Sequence, residues 1–354
     1  MRILFIPNWN VARLASDDAT VQAPDKHVEG EPYWFFTHFT SDVQVDVLDI
    51  GRDNWLRRFE RRLKFYISQP IKAWRRRNGY DLVMSHGAQS GLLYELLSSW
   101  SHRRPPHLMV DVGALNGGRE TGLATRLIRY AMRRAPHLIV HSRTQLPWLE
   151  RNYPNLAARA CYIPFGVDVD DFVPLDVPHK RTIVSFGYAK RDFDTLCRAF
   201  ASLPDSQGYR LLIIGDTSLS GSYAHCPGIE FKPAQPLPQL RQAIAASAAV
   251  ALILPDYPYS YGQMSVLQSM AMGKPLIVSD TASTHDYVSD APGVMLVPVG
   301  DVDAVRRALE QMIHSDDSTR RDKGLANRDY VVAHHSQRAM AQRIEQLIKE
   351  ILEK

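Results

Sequence analysis

Cysteine is scarce in this chain, and long apolar runs are missing. Its 354 residues hold three cysteines, Cys161, Cys197 and Cys226, an odd number with no CxxC pair, so free, reduced thiols are expected rather than a disulfide framework. Apolar runs such as Leu211–Ile214 and Ala249–Leu254 are too short to cross a bilayer, and the first residues read as a strand, without the pattern of a secretory leader. A cytoplasmic protein is expected. The sequence also lacks GxSxG, GxxxxGK[ST] and GxGxxG, which removes the chemistry that hydrolase, P-loop and dinucleotide readings need. There is no tandem repeat and no low-complexity segment.

The net charge of +4 is unevenly spread. Residues 52–77 carry ten Lys/Arg against Asp53 and Glu60, a local +8, so the rest of the chain sums to −4. Interleaved with these charges are Trp55, Phe59, Leu63, Phe65, Ile67, Ile71 and Trp74. That mixture suits an amphipathic helix on an anionic membrane surface, and equally a core-facing helix with a solvated basic side. No recognition motif accompanies the charges, so nucleic acid is not an expected partner.

With 45% hydrophobic residues, a chain of this length is expected to form two domains. Short apolar runs alternate with helical stretches from end to end, the rhythm of a doubly wound parallel sheet. Residues 2–6, 43–50, 81–84, 108–110 and 138–140 form a first set of predicted strands. A second set covers 182–185, 211–214, 229–231, 250–254, 276–278 and 294–297. The rhythm breaks at 166–180, where Asp168, Asp170, Asp171, Pro174, Asp176 and Pro178 crowd together. The expectation is an α/β protein of two Rossmann-like domains facing across a cleft, about 1–165 and 180–335, with residues 336–354 crossing back to the first. Ligands of such sheets bind beyond the carboxyl ends of the strands.

Residues 258–280 read as loop, helix, Gly-Lys-Pro turn and buried strand in succession. Gly262 permits a tight turn, so the amides of Gln263, Met264 and Ser265 would open a helix whose dipole favours an anion. Leu267, Met270 and Ala271 recur at helical spacing toward the sheet, leaving Ser265 and Gln268 on another face.

Several segments in order carry a family resemblance. Ile163-Pro-Phe-Gly-Val-Asp-Val-Asp-Asp-Phe172 is similar to the "IPNGVDxxxF" crossover of the retaining family 4 GT-B glycosyltransferases, and Ser185–Arg191 stands where their phosphate-binding "GR…K" loop belongs. Leu211–Asp216 resembles the next strand and turn, Ser260–Pro275 the "E-G-F-G…E-A-M-A-x-G-x-P" signature, and Gly293–Asp301 the segment after it. Before residue 160 the likeness rests mainly on Tyr80–Gly87. The chain departs from the family at Ser260 and Gln268, which replace two glutamates eight residues apart, and at Tyr188, which replaces an arginine. Pro7-Asn-Trp-Asn10 lacks the usual double glycine, and the histidine after the fourth strand is replaced within Val110–Gly113.

The resemblance implies a retaining, metal-independent glycosyltransferase without a cofactor, using a nucleotide sugar, UDP favoured over GDP, and a hydroxyl acceptor on a lipid-linked or polysaccharide precursor. Lys190 and Arg191 would meet the leaving diphosphate. Gly187, Tyr188, Gly215, Ser260, Tyr261, Gly262, Gln263, Met264, Ser265 and Gln268 would bind the donor, Gln268 by hydrogen bonds to the ribose diol. His86 and Asp111, at predicted strand ends, are candidates for the chemistry; Trp9, Asn10 and Gly113 would line the acceptor pocket. A nucleotide-sugar 2-epimerase and a non-catalytic nucleotide-sugar-binding protein are the rival readings on this fold. Asp168-Val-Asp170 spells a metal-binding DxD but lies in the crossover, and His334-His335 lacks companion ligands, so no metal site is expected and both histidines are placed on the surface.

Overall fold

The computed structural model describes residues 1–51, 58, 60, 62, 66–101, 104–113, 115, 126, 129–134, 136–188, 190–257 and 259–353. The chain divides into two compact units: Met1–Pro164 with Pro258–Ser260 and Met340–Lys354, and Phe165–Tyr257 with Tyr261–Ala339.

The first unit is built on a six-stranded parallel sheet. Its strands are β1 (Arg2–Pro7), β4 (Gln44–Val47), β5 (Leu82–His86), β6 (His107–Asp111), β7 (His137–Val140) and β8 (Ala160–Tyr162), in the order β4-β1-β5-β6-β7-β8. A separate parallel pair, β2 (Ala12–Leu14) and β3 (Lys26–Val28), precedes β4. Every residue of β5 and β6 is buried, because helices cover both faces of a parallel sheet and no alternation of polar residues survives. On one face Leu4, Ile6 and Val83 pack with Ala73 of α1 (Ser68–Arg76) and Tyr94 of α2 (Ala88–Ser99). Further along the same face, Met109, Leu138 and Val140 pack with Leu149 of α3 (Gln145–Asn152) and Leu156 of α4 (Pro154–Ala157). Each such aliphatic side chain contributes about 1.5–3 kcal/mol by leaving water.

The second unit repeats the plan with β9 (Thr182–Gly187), β10 (Arg210–Gly215), β11 (Ile229–Pro233), β12 (Ala249–Leu252), β13 (Leu276–Ser279) and β14 (Val294–Val297), in the order β11-β10-β9-β12-β13-β14. Its helices are α5 (Phe193–Ala201), α6 (Leu237–Ala246), α7 (Gln263–Ala271), α8 (Ala282–Val288), α9 (Val302–His314) and α10 (Asp317–His334); the last helix, α11 (Gln337–Leu352), belongs from Met340 onward to the first unit. Ile183, Leu211, Ile213 and Ala251 meet Phe200 of α5 and Leu309 of α9 in its core.

Three strands escape the sequence pattern. Residues 160–162 form a half-buried sheet edge, and β2 and β3 hold Arg13, Lys26 and His27 in three-residue runs too short for periodicity to register. His335, expected on the surface, is buried against Tyr287 and Tyr330 with ring centroids 5.2 and 5.6 Å away. The expectation fails because Val167 bonds to the His335 carbonyl at 2.9 Å and bridges Ser336, pulling this stretch inward.

Strand order fixes where ligands bind. In the first sheet the direction of winding reverses between β1 and β5, and in the second between β9 and β12. Loops diverge there, leaving a crevice at the carboxyl ends.

Candidate functional site

In the second unit, β9 ends at Gly187 with φ +126°, a backbone region that only glycine adopts readily. A Cβ here would lie 2.7 Å from the Arg191 guanidinium, so the missing side chain makes the space that the arginine occupies. Arg191 donates from Nε to the Phe186 carbonyl at 3.1 Å and from Nη2 to the Ser265 hydroxyl at 2.8 Å. Burial lowers its pKa to about 10, a shift opposed by Tyr261, so it remains a cation at neutral pH. Lys190, in a left-handed conformation at φ +58°, sets its ammonium 4.9 Å from the centre of the Tyr257 ring and 5.7 Å from that of Tyr261. Immediately after Arg191, Asp192 caps α5 by accepting from the Thr195 amide at 3.0 Å.

Across the switch point, the loop after β12 leads to α7. Gly262 is its N-cap at φ +76°, with no side chain supplying a cap, and a Cβ there would strike Leu254. First-turn amides have no intrahelical acceptor, so this helix start and the Arg191 cation form one electropositive feature through Ser265. Such a feature is suited to a diphosphate. Gly215 closes β10 beside Gly187, and a Cβ at Gly215 would collide with the Gly187 carbonyl.

The other donor candidates divide. Gln263, Ser265 and Gln268 are all buried, Gln268 to 5% exposure, whereas Met264 is exposed. Tyr261 is buried and its hydroxyl donates to the Pro255 carbonyl. Tyr188, 60% exposed, is not among the groups gathered around Arg191. Ser260 is buried and, with Tyr259, clusters with the first unit. Tyr257 and Asp192 were passed over in the sequence. The three tyrosines in Tyr257-Pro-Tyr-Ser-Tyr261 and the Asp-to-Thr195 spacing were the available signals.

The first unit assembles a second group at its own switch point. Trp9, following β1, and His86, ending β5, meet edge to face with ring centroids 4.8 Å apart. His86 is 9% exposed, adjoins Trp34 and His141, and neither of its ring nitrogens has a hydrogen-bond partner. Burial, reinforced by His141, depresses its pKa to about 3, so it is a neutral imidazole. Asp111 is fully buried: one oxygen accepts from the Leu115 amide at 3.4 Å and the other from the Gln145 side chain at 3.1 Å. These bonds tie the loop after β6 to α3. Gly113, at φ +97°, has the Tyr259 ring where a Cβ would sit, and Asn10 is exposed. Of the glycine-rich loop 113–119, residues 114 and 116–119 lie outside the described residues.

Much of the basic segment 52–77 also lies outside the described residues. Its described part includes α1, which buries Gln69, Pro70 and Ala73 and exposes Lys72, Arg75 and Arg76. Among the described residues no helix is long and apolar enough to cross a membrane, and no group of three His, Cys, Asp or Glu could hold a metal ion. Asp168 instead accepts from the amides of Asp170 and Asp171 at 3.0 and 3.1 Å.

Residues 180–315 match the family model described as Glycosyl transferases group 1. The chain is 25% identical over 319 residues to D-inositol 3-phosphate glycosyltransferase of Corynebacterium urealyticum, covering 79% of this chain and 73% of that protein. Among solved structures it is similar to Anabaena Alr3699/HepE in complex with UDP-glucose, with a TM-score of 0.72, 14% identity and coverage of 99% of this chain and 100% of that one. It is also similar to sucrose-phosphate synthase from Thermosynechococcus elongatus, with a TM-score of 0.69, 17% identity and 99% of each chain covered. At these identities the structural likeness establishes the fold, and the fold is GT-B.

Proposed function

We propose that this chain, a divergent glycosyltransferase of the group 1 type, transfers a sugar from a nucleoside-diphosphate sugar to an acceptor hydroxyl with retention of configuration. The observation that carries the reading is the Arg191 guanidinium, held by Phe186 and Ser265 beside the Gly262 helix start at the switch point of the second sheet. Departure of a nucleoside diphosphate builds charge on its outer phosphate. Stabilising that charge is the main catalytic demand, and a pre-positioned cation and helix start meet it without reorganising. Lys190 adds a second cation, so the chemistry calls for neither metal nor cofactor.

UDP is the favoured nucleotide, supported by the likeness to Alr3699/HepE, solved with UDP and with UDP-glucose. Gln268 is assigned to the ribose diol. Acceptor recognition is assigned to the carboxyl edge of the first sheet, where Trp9 and His86 offer a flat ring and a neutral imidazole for a sugar hydroxyl. We assign the acceptor to the class of lipid-linked or polysaccharide precursors, met in the cytoplasm at an anionic membrane surface that residues 52–77 contact. Equal sedimentation with neutral and anionic vesicles would remove the membrane part.

A non-catalytic nucleotide-sugar-binding protein is the second reading, favoured by Ser260 and Gln268 where the family carries two carboxylates. An epimerase would need an acid/base pair that these residues do not supply. Incubation with UDP-, GDP- and ADP-sugars and a panel of hydroxyl acceptors separates these readings. Transfer supports the enzyme, saturable binding without turnover the second reading, and epimerised donor the third.

A further inference from the structure

The carboxyl end of the second sheet holds the Arg191 site, and its amino end opens on a cavity of about 570 Å³. That volume falls within the range of small-molecule sites, about 300–1,000 Å³. Its walls come from residues just before the strands, such as Arg181 before β9, Tyr209 before β10, Ala248 before β12 and Pro275 before β13, together with the start of α10.

Its charge is one-sided. The cations Lys180, Arg181, Lys274, Arg320 and Arg321 line it beside the His179 imidazole, against Asp316 and Asp317. Both carboxylates are already engaged: Asp316 caps α10 by accepting from the Thr319 amide at 2.7 Å, and Asp317 is paired with Arg320. Lys274 is 6% exposed, and its ammonium donates to the Ala245 and Ser247 carbonyls at 2.5 and 2.8 Å. Among the described residues no carboxylate pairs with that charge, and burial lowers its pKa to about 8. A buried cation without a counter-ion is unfavourable, and an anion entering the cavity would supply one. His179 is itself held below its ordinary pKa by burial and then by the charges of Lys274 and Arg321.

We propose that this cavity binds a phosphoryl-bearing ligand, as a second anion site at the opposite end of the sheet from Arg191. A planar guanidinium and an ammonium suit phosphoryl oxygens, and the unpaired positive groups outnumber the carboxylates that would repel them.

The test is calorimetric titration of inorganic pyrophosphate into the full chain. Because pyrophosphate also suits the Arg191 site, the titration is made in Arg191→Ala protein, where binding is expected to persist. Adding Lys180→Glu and Arg321→Glu, both exposed positions, should weaken that binding by about tenfold or more. The same pair in otherwise native protein should leave UDP affinity unchanged. If charge reversal lowers Tm, Lys180→Gln with Arg321→Gln tests the same point more gently. Vesicles containing phosphatidylglycerol, set against neutral phosphatidylcholine, decide whether the phosphoryl group is a headgroup or a free ligand. Loss of all pyrophosphate binding in Arg191→Ala protein, or binding indifferent to the charge changes, would overturn the proposal. Neither result bears on sugar transfer.

Discussion

Arg191 and Ser265, 74 positions apart, are joined by a guanidinium-to-hydroxyl hydrogen bond of 2.8 Å. The bond links the loop after β9 to the first turn of α7, the two elements flanking the switch point of the second sheet. Losing a preorganised anion contact raises the barrier by about 3–4 kcal/mol. Arg191→Ala is therefore expected to lower kcat at least roughly a hundredfold. Ser265→Ala, which leaves the cation but removes one of its tethers, is expected to cost about 1.5–3 kcal/mol. Steady-state kinetics on folded variants check both, and near-native turnover in Arg191→Ala would take the residue out of the mechanism.

Gly187→Ala should mimic the loss of Arg191. A methyl group at φ +126° is strained, and it would sit where the guanidinium lies. The expected result is a kcat reduction approaching that of Arg191→Ala, with the far-UV spectrum unchanged. A fully active Gly187→Ala enzyme would show that the position of the guanidinium is not critical.

Two buried histidines make stability depend on pH. Burial lowers the pKa of His86 to about 3 and that of His141 to about 4, the latter despite its bond to the Ile163 carbonyl at 2.7 Å. The unfolded chain, with imidazoles near 6.5, binds more protons between these limits. Stability is thus fully present above about pH 6.5 and falls as pH drops toward 4, by up to ~1.4 kcal/mol per pH unit for each histidine. Urea unfolding at pH 7 and pH 5 measures the slope. His86→Phe should flatten it, and an unchanged slope would contradict the assignment.

Glu345 of α11 accepts from the amides of Thr40 and Ser41, both at 2.9 Å, and from their hydroxyls. Burial pushes its carboxyl up, but Lys349, Ser41 and the two amides outweigh it and hold the pKa at about 2. Glu345→Ala leaves these donors without their acceptor and is expected to destabilise the fold by about 3 kcal/mol. Chemical denaturation reads the change, and a loss below about 0.5 kcal/mol would mean that solvent replaces the carboxylate readily.

The doubly wound fold was legible because parallel strands buried on both faces are written as continuous apolar runs, as in Leu211–Ile214. Gly262 announced the start of α7 through its backbone requirement alone, and Arg191 stood in the segment that resembles the family's phosphate-binding loop. What the sequence did not display was partnership over distance. Nothing local shows that Ser265 receives a bond from Arg191, that the Tyr257 ring faces Lys190, or that Asp111 is occupied by Gln145. His335 was misplaced for the same reason: its burial is set by a bridge to Val167, far away in the chain. The cavity at the amino end of the second sheet is also built from separate segments, so its cations read individually as solvated charges.

Binding of a nucleotide-sugar diphosphate at the Arg191 site is read by a thermal-shift titration over UDP, GDP, ADP, CMP and their sugars. A ligand at 100 times its dissociation constant adds about 2.7 kcal/mol of stability. The expected result is a saturable rise in Tm with UDP and UDP-sugars, much reduced in Arg191→Ala. No shift across the whole panel, or a shift that Arg191→Ala leaves intact, would contradict it.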